Sequence, residues 1–348
     1  MSIRQRSPKV VVLLTRWFVF VTLLAGAETA AAAPDFYKDK TIRIVVASPP
    51  GGTHDLHVRA VARHMAKYVP GSPNLIVQNM PGGGGVVMAN YMYNVAKADG
   101  LTIGNTLAGN VLLDLVRNPV VQYDSKKFQW IGSITSLARV CVLREVSGFK
   151  TISDVIRSDT PPRVGGSGPG ATTVTHPQAL NAVLRTKFKV IAGYPGMASI
   201  YLAMERGELD GICGADLKGM KVIRPEWFAK GYVRILLQVG VEKDPDLPQV
   251  PAAMDLIDNP EDRAFLEALV APDRMARPLF VPPSVPDERV KLLREAFMKT
   301  VDDPAFLKEA EQMRLEISPV SGEKVQSLVE RIFAASPAVV KRIAELVN

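Results

Sequence analysis

Ile42-Arg43-Ile44-Val45-Val46-Ala47-Ser48-Pro49-Pro50-Gly51-Gly52-Thr53-His54-Asp55 starts as a strand and ends as the first turn of a helix. Ile42, Ile44, Val45 and Val46 are β-branched and apolar, as a buried strand requires. Ser48-Pro49-Pro50-Gly51-Gly52 stops the strand. Beyond Asp55, the residues Leu56, Ala60, Val61, His64, Met65 and Tyr68 recur at helical spacing and predict a helix running to Tyr68. A strand, a glycine turn and a helix start can cradle an anion. Glycine lets the backbone approach a ligand, and the first-turn N–H groups have no partner within the helix. The same pattern also serves as an ordinary connector in α/β proteins, and on this stretch alone both readings stand.

The pattern recurs downstream. Asn74–Gln78 reads as a strand, Asn79-Met80-Pro81-Gly82-Gly83-Gly84-Gly85 as a second glycine loop and Val86–Val95 as a helix. Thr102-Ile103-Gly104-Asn105-Thr106 is then a strand entering a third turn. Strands alternating with helices predict a mostly parallel sheet, in which ligands bind beyond the carboxyl ends of the strands. The four-glycine loop is not a P-loop, because no Lys and Ser/Thr follow in the required register.

The start of the chain reads as a secretory leader. Arg4, Arg6 and Lys9 precede an apolar run that is strongest over Trp17–Ala27, and Ala30–Ala33 offers a small-residue cleavage site. The run is short for a bilayer span, and Arg16 interrupts its upstream half. Residues 1–33 carry Arg4, Arg6, Lys9 and Arg16 against Glu28, so cleavage removes three of the net +7 charges. What remains is mildly basic, with Lys and Arg scattered rather than interleaved with aromatics, which argues against nucleic acid as a partner. Its length suits two lobes. Cys141 and Cys213, the two cysteines, both fall in strand-like segments. In an oxidising compartment they could form a bridge or stay as buried thiols.

Three segments carry a resemblance: Tyr37–Val46 with Pro50-Gly51-Gly52-Thr53-His54-Asp55, then Val77-Gln78-Asn79-Met80-Pro81 with Gly82–Gly85, then Ala98-Asp99-Gly100-Leu101-Thr102-Ile103-Gly104. In this order and spacing the chain resembles the Bug family, the extracytoplasmic solute receptors of tripartite tricarboxylate transporters. The resemblance implies an α/β, two-lobed periplasmic binding protein of type II-like fold, each lobe a mostly parallel sheet flanked by helices, with a hinge between them. It implies a leader at 1–33, a first lobe from 34–140 and 277–348, and a second from 141–276. It further implies a monomer that closes on a small carboxylate, hands it to membrane permease subunits, and uses neither cofactor nor catalysis.

The implied ligand-binding residues follow the family's loops. The first loop supplies Ser48, Pro49, Gly51, Gly52, Thr53, His54 and Asp55; the second supplies Pro81, Gly82, Gly83, Gly84 and Gly85; Thr106 ends the strand before the third turn. In the second lobe, Gly166-Ser167-Gly168-Pro169-Gly170-Ala171-Thr172-Thr173 is a third glycine-rich turn before a helix, offering Ser167, Gly168, Gly170, Thr172 and Thr173. The three hydroxyls could bind ligand, cap the helix, or do both. Tyr194 and Pro195 belong to a loop before the helix that ends near Arg206-Gly207-Glu208-Leu209-Asp210. Neither of the first two loops contains Arg or Lys, so a ligand carboxylate there would be held by backbone N–H groups and helix N-termini. Asp55 would accept from a ligand hydroxyl, amine or water, or cap its own helix. Closure would hinge near Val140 and Pro278. His54 departs from the small residue common in the family, and 215–227 and 244–274 match its pattern poorly.

Other readings are weaker. Gly165-Gly166-Ser167-Gly168-Pro169 misses the nucleophile elbow, whose last residue is glycine, and no histidine follows His176. His54, Asp55 and His57 could begin a metal site, but no third ligand sits at a zinc-like spacing. A sensor presenting ligand to a membrane kinase would share every feature named above.

Overall fold

The computed structural model describes residues 36–168 and 170–347. The leader expected at 1–33 lies outside them. Among the described residues, no helix is long and apolar enough to cross a membrane.

Among the described residues, eleven strands form two sheets. The first contains β1 (Thr41–Val46), β2 (Asn74–Asn79), β3 (Thr102–Asn105), β4 (Gln129–Ser133), β10 (Pro278–Val281) and β11 (Val320–Ser321), in the order β11-β4-β10-β3-β1-β2. The second contains β5 (Arg139–Arg144), β6 (Arg163–Gly165), β7 (Lys189–Ile191), β8 (Gly211–Asp216) and β9 (Val233–Val239), in the order β7-β6-β8-β5-β9. The two-lobed α/β fold class is therefore as expected. The sheets are mixed: β2-β1-β3 and β7-β6-β8 are parallel, whereas β10 runs antiparallel to β3 and β4, and β5 to β8 and β9. β5 and β10, the strands that follow the two lobe crossings, run against the main direction of their sheets.

The opening strand is apolar on both sides because both are covered. Ile42, Ile44 and Val46 pack under Val58, Val61 and Met65 of α1 (Thr53–Met65) and under Phe297 of α10 (Asp287–Val301), whereas Val45 faces Met88 and Met92 of α2 (Val86–Asn94). Each such buried side chain contributes roughly 1.5–3 kcal/mol. In β5 the alternation repeats: Val140 and Val142 face one core, Cys141 and Leu143 the other. Cys141 lies opposite Cys213 in register, and the two are disulfide-bonded.

Between the remaining strands come α3 (Asn110–Leu115), α4 (Ile152–Arg157), α5 (Thr172–Leu184), α6 (Met197–Glu205), α7 (Leu217–Ile223), α8 (Pro225–Ala229) and α9 (Pro260–Val270). The chain ends in α11 (Pro304–Gln312), α12 (Gly322–Phe333) and α13 (Pro337–Val347). The sheets are joined by two segments, 134–138 and 271–277. Backbone bonds tie them together: Leu137 N–H to Asp273 O at 2.8 Å, Ile134 N–H to Arg277 O at 3.1 Å and Ala276 N–H to Thr135 O at 3.1 Å. α13 makes a further link, packing on α3 as well as on α5 and α9, with Arg342 paired to Asp262 at 2.8 Å.

Candidate functional site

The first glycine loop is held from below by Asp55. Its carboxylate, 1% exposed, accepts from Gly51 N–H at 2.8 Å, from Arg59 Nε at 2.9 Å and from Asn79 Nδ2 at 2.8 Å. Asn79 also donates to Ser48 O at 2.9 Å, and Arg59 Nη2 donates to Asn79 Oδ1 at 3.0 Å. One knot thus joins the end of β1, the start of α1 and the end of β2. Burial pushes the Asp55 carboxyl up, but the bonds from Arg59, Gly51 and Asn79 outweigh it and hold its pKa below the usual value. The acidic group in the first helical turn also suits the helix dipole. Of the two roles expected for Asp55, the structure shows its carboxylate fastening its own loop and helix.

All four residues Gly82–Gly85 have positive φ. Gly85, at φ +93°, leaves no room for a side chain: a Cβ would stand 2.8 Å from Asn110 Nδ2 and 3.2 Å from Ala47 Cβ. Asn110 in turn donates to Thr106 Oγ1 at 2.8 Å, which engages the buried Thr106 hydroxyl inside the first lobe. Gly85→Ala is expected to lose about 1–3 kcal/mol through backbone strain and crowding. Chemical unfolding checks this, and an unchanged midpoint would show that the loop can relax around the methyl group.

The second-lobe turn is also braced internally. Ser167 N–H donates to Thr173 Oγ1 at 3.1 Å, and Thr172 Oγ1 donates to Gly214 O at 3.0 Å. Both threonine hydroxyls thus serve the start of α5. Tyr194 N–H donates to Gly166 O at 3.2 Å, and its ring packs on the outer core of the second lobe.

Between the lobes lies a cleft of about 820 Å³. Of the residues expected at the site, Thr53, His54, Gly84, Gly168, Gly170 and Thr172 line it. Ser48, Pro49, Gly51, Gly52, Asp55, Pro81, Gly82, Gly83, Gly85, Thr106, Ser167, Thr173, Tyr194 and Pro195 are not on that lining. Residues with no sequence signal complete it: Leu107–Asn110, Leu112 and Leu113 from the first lobe, Ala171, Thr175, His176 and Leu269 from the second, and Leu137, Arg139, Pro272, Asp273, Ala276 and Arg277 from or beside the crossings. Val347, at the end of α13, also reaches it.

The histidines do not converge on a metal site. Asn105 Nδ2 donates to Pro278 O at 2.8 Å, so its Oδ1 faces His54 Nδ1 at 3.1 Å and fixes the proton there. In the neutral ring Nε2 is then an acceptor. His57, 1% exposed, sets its nitrogens against Thr53 O at 2.7 Å and Glu316 O at 3.1 Å. Burial, assisted by the Arg277 charge, lowers each ring to about 4, although the groups bonded to the rings pull the other way. Asp55 faces Arg59 instead. Among the described residues, no three His, Cys, Asp or Glu side chains are grouped to hold a metal ion.

At the hinge, Asp273 sits between Arg139 Nε at 2.9 Å and His176 Nε2 at 3.2 Å. His176 Nδ1 lies 2.9 Å from Thr172 O. Burial opposes ionisation of Asp273, but the Arg139 charge and His176 outweigh it and keep its pKa low. One carboxylate of the second crossing thereby fixes both the start of β5 and the first turns of α5.

A family model described as "Tripartite tricarboxylate transporter family receptor" matches residues 57–344. A protein of Cupriavidus necator, "UPF0065 protein in gbd 5'region", is 22% identical over 329 residues, spanning 91% of this chain and 92% of its own. The solved structure of a TctC solute binding protein from Polaromonas superposes with a TM-score of 0.71 at 21% identity, covering 89% of this chain and all of the other. MatC from Rhodopseudomonas palustris, solved with bound malate, gives a TM-score of 0.56 at 20% identity, covering 89% of this chain and 99% of its own. The resemblance carried by the two Pro-Gly loops is thus borne out, and the solved structures share the fold.

Proposed function

The chain belongs to the tripartite tricarboxylate transporter receptor family, and from that premise we propose that it is an extracytoplasmic receptor which closes its lobes on a small carboxylate and delivers it to membrane permease subunits. The observation that carries this reading is the cleft. It lies between the lobes at the carboxyl ends of the parallel strands, where open α/β sheets bind ligands, and is bordered by the first turns of α1 and α5 and by Gly84. Those turns present N–H groups and the positive ends of two helices, each such end contributing about 0.3–1 kcal/mol to an anion. The bound malate of MatC is in keeping with a carboxylate ligand.

In this reading the residues that brace the loops, on the lining or off it, are positioning residues. Asp55, Arg59 and Asn79 set the first loop, Gly82–Gly85 the second, and the Thr172 and Thr173 hydroxyls the third. Closure bends the paired crossings, and the ligand shifts the equilibrium only by its differential affinity for the closed state. The protein binds and releases, with no bond made or broken. Thermal unfolding of the leader-free protein against a panel of carboxylates tests this. A carboxylate at 100 times its Kd adds about 2.7 kcal/mol of stability. A flat response across mono-, di- and tricarboxylates would remove the reading.

A further inference from the structure

Among the described residues, Arg277 has no ion-pair partner. It lies at the end of the second crossing, lines the cleft, and has buried Nε and Nη1 groups with no hydrogen-bond acceptor. Asp216 and Glu316 temper its charge from beyond ion-pair distance, and Glu316 is matched instead with Lys218 at 3.5 Å. The other charges on the lining are engaged: Arg139 with Asp273, and Asp273 with His176. Buried guanidinium nitrogens left unpaired are costly, and a carboxylate presented to the fork relieves that cost. No carboxylate on the described lining is free to receive an ammonium group.

The rest of the lining is largely hydrocarbon. Leu107, Leu112, Leu113, Leu269 and Val347 give it apolar side chains. A compact hydroxy-acid with carboxylates at both ends would leave these side chains wet.

We propose that the cleft takes an amine-free monocarboxylate with an apolar body, its carboxylate paired directly to the Arg277 guanidinium and its hydrocarbon set against Leu107, Leu112, Leu113, Leu269 and Val347. This rests on the receptor reading and narrows its ligand class. It also places the cation outside the two glycine loops, on a crossing that moves when the lobes close, so that ligand charge and closure are coupled through one residue.

Isothermal titration of the leader-free protein tests it, with hexanoate, decanoate and 3-phenylpropanoate as probes. Hexanamide and norleucine serve as the uncharged and amine-bearing counterparts of hexanoate, and malate, citrate and aspartate as polar acids. At least one apolar monocarboxylate should bind more tightly than every polar acid, hexanamide and norleucine should each bind more weakly than hexanoate, and Arg277→Met should weaken the acids by about 10- to 100-fold. Arg277→Lys keeps the charge without the fork and should fall between. It also supplies the comparison should Arg277→Met not fold. Preference for a polar acid, equal binding of norleucine, or unchanged affinity in the Arg277 variants would overturn the inference while leaving the receptor reading in place. Binding of no carboxylate at all would remove the receptor reading, and this inference with it.

Discussion

Asp55→Ala is expected to lower the unfolding free energy by about 2–3 kcal/mol. Removing one member of a buried ion pair commonly costs 3–5 kcal/mol, because the other charge is left uncompensated. Here the loss is moderated by Arg59, whose side chain is 38% exposed and can recover water. What water cannot easily restore is the rest of the knot. Gly51 N–H loses its acceptor, Asn79 Nδ2 keeps only Ser48 O, and α1 loses the negative charge of its first turn. Asp55→Asn should recover part of the loss: one amide oxygen can still accept, while the amide NH₂ faces donors. Urea unfolding measures both variants. A loss under about 1 kcal/mol for Asp55→Ala would mean that the loop is held by its backbone and that the knot is incidental. Because Thr53 and His54 stand on the same turn and line the cleft, ligand affinity should fall together with stability.

The stretch from Ile42 to Asp55 shows why the first lobe was readable. Its β-branched run, its Pro-Gly stop and the spacing of Val61 and Met65 all respond to local geometry, and the structure places β1, the turn and α1 accordingly. The helix stops at Met65, where a 3₁₀ turn takes over to Tyr68, three residues short of the expected end. The strand read at Asn74–Gln78 and the helix read at Val86–Val95 are β2 and α2, each within one residue of the expected end. The cleft was less legible. Glycine loops announce themselves because strained backbone demands glycine, yet Gly82, Gly83 and Gly85 shape the loop while Gly84 alone lines the cleft. Arg277 and Leu113 carry no signal of their own. One is a single residue on a crossing and the other looks like any core leucine, and only the meeting of two lobes turns them toward the same space. His176 and Asp273 are 97 positions apart in the chain, and nothing local announces that they meet at 3.2 Å. The mixed sheets have the same origin, since the direction of β5 and β10 is decided by the lobe crossings rather than by composition.

Stability should rise with pH between about 4 and 6.5, with His57 as one of the groups responsible. His54 and His57 are both lowered from 6.5 to about 4 in the folded protein. As pH falls through 6.5 the unfolded chain takes up these protons first, so it binds more protons than the folded state and folding weakens. The contribution is fully present above 6.5, is lost progressively down to about 4, and changes no further below, where both states are protonated. A shift of this size corresponds to about 3 kcal/mol per ring as an upper bound, since each unit is worth 1.36 kcal/mol and the rings also repel each other. His57 is the cleaner probe because it is buried away from the cleft lining, whereas His54 also faces any ligand. Below this window the carboxylates take over: Lys67 holds Asp303 at about 2, and that contribution disappears as pH falls from the usual carboxylate range through this value. The measurement is the slope of unfolding free energy against pH from urea titrations of wild type and His57→Gln. The variant should lose about one proton's worth of slope between pH 4 and 6.5. An equal slope in both proteins would show that the ring of His57 is not lowered in the fold and contributes nothing in this window.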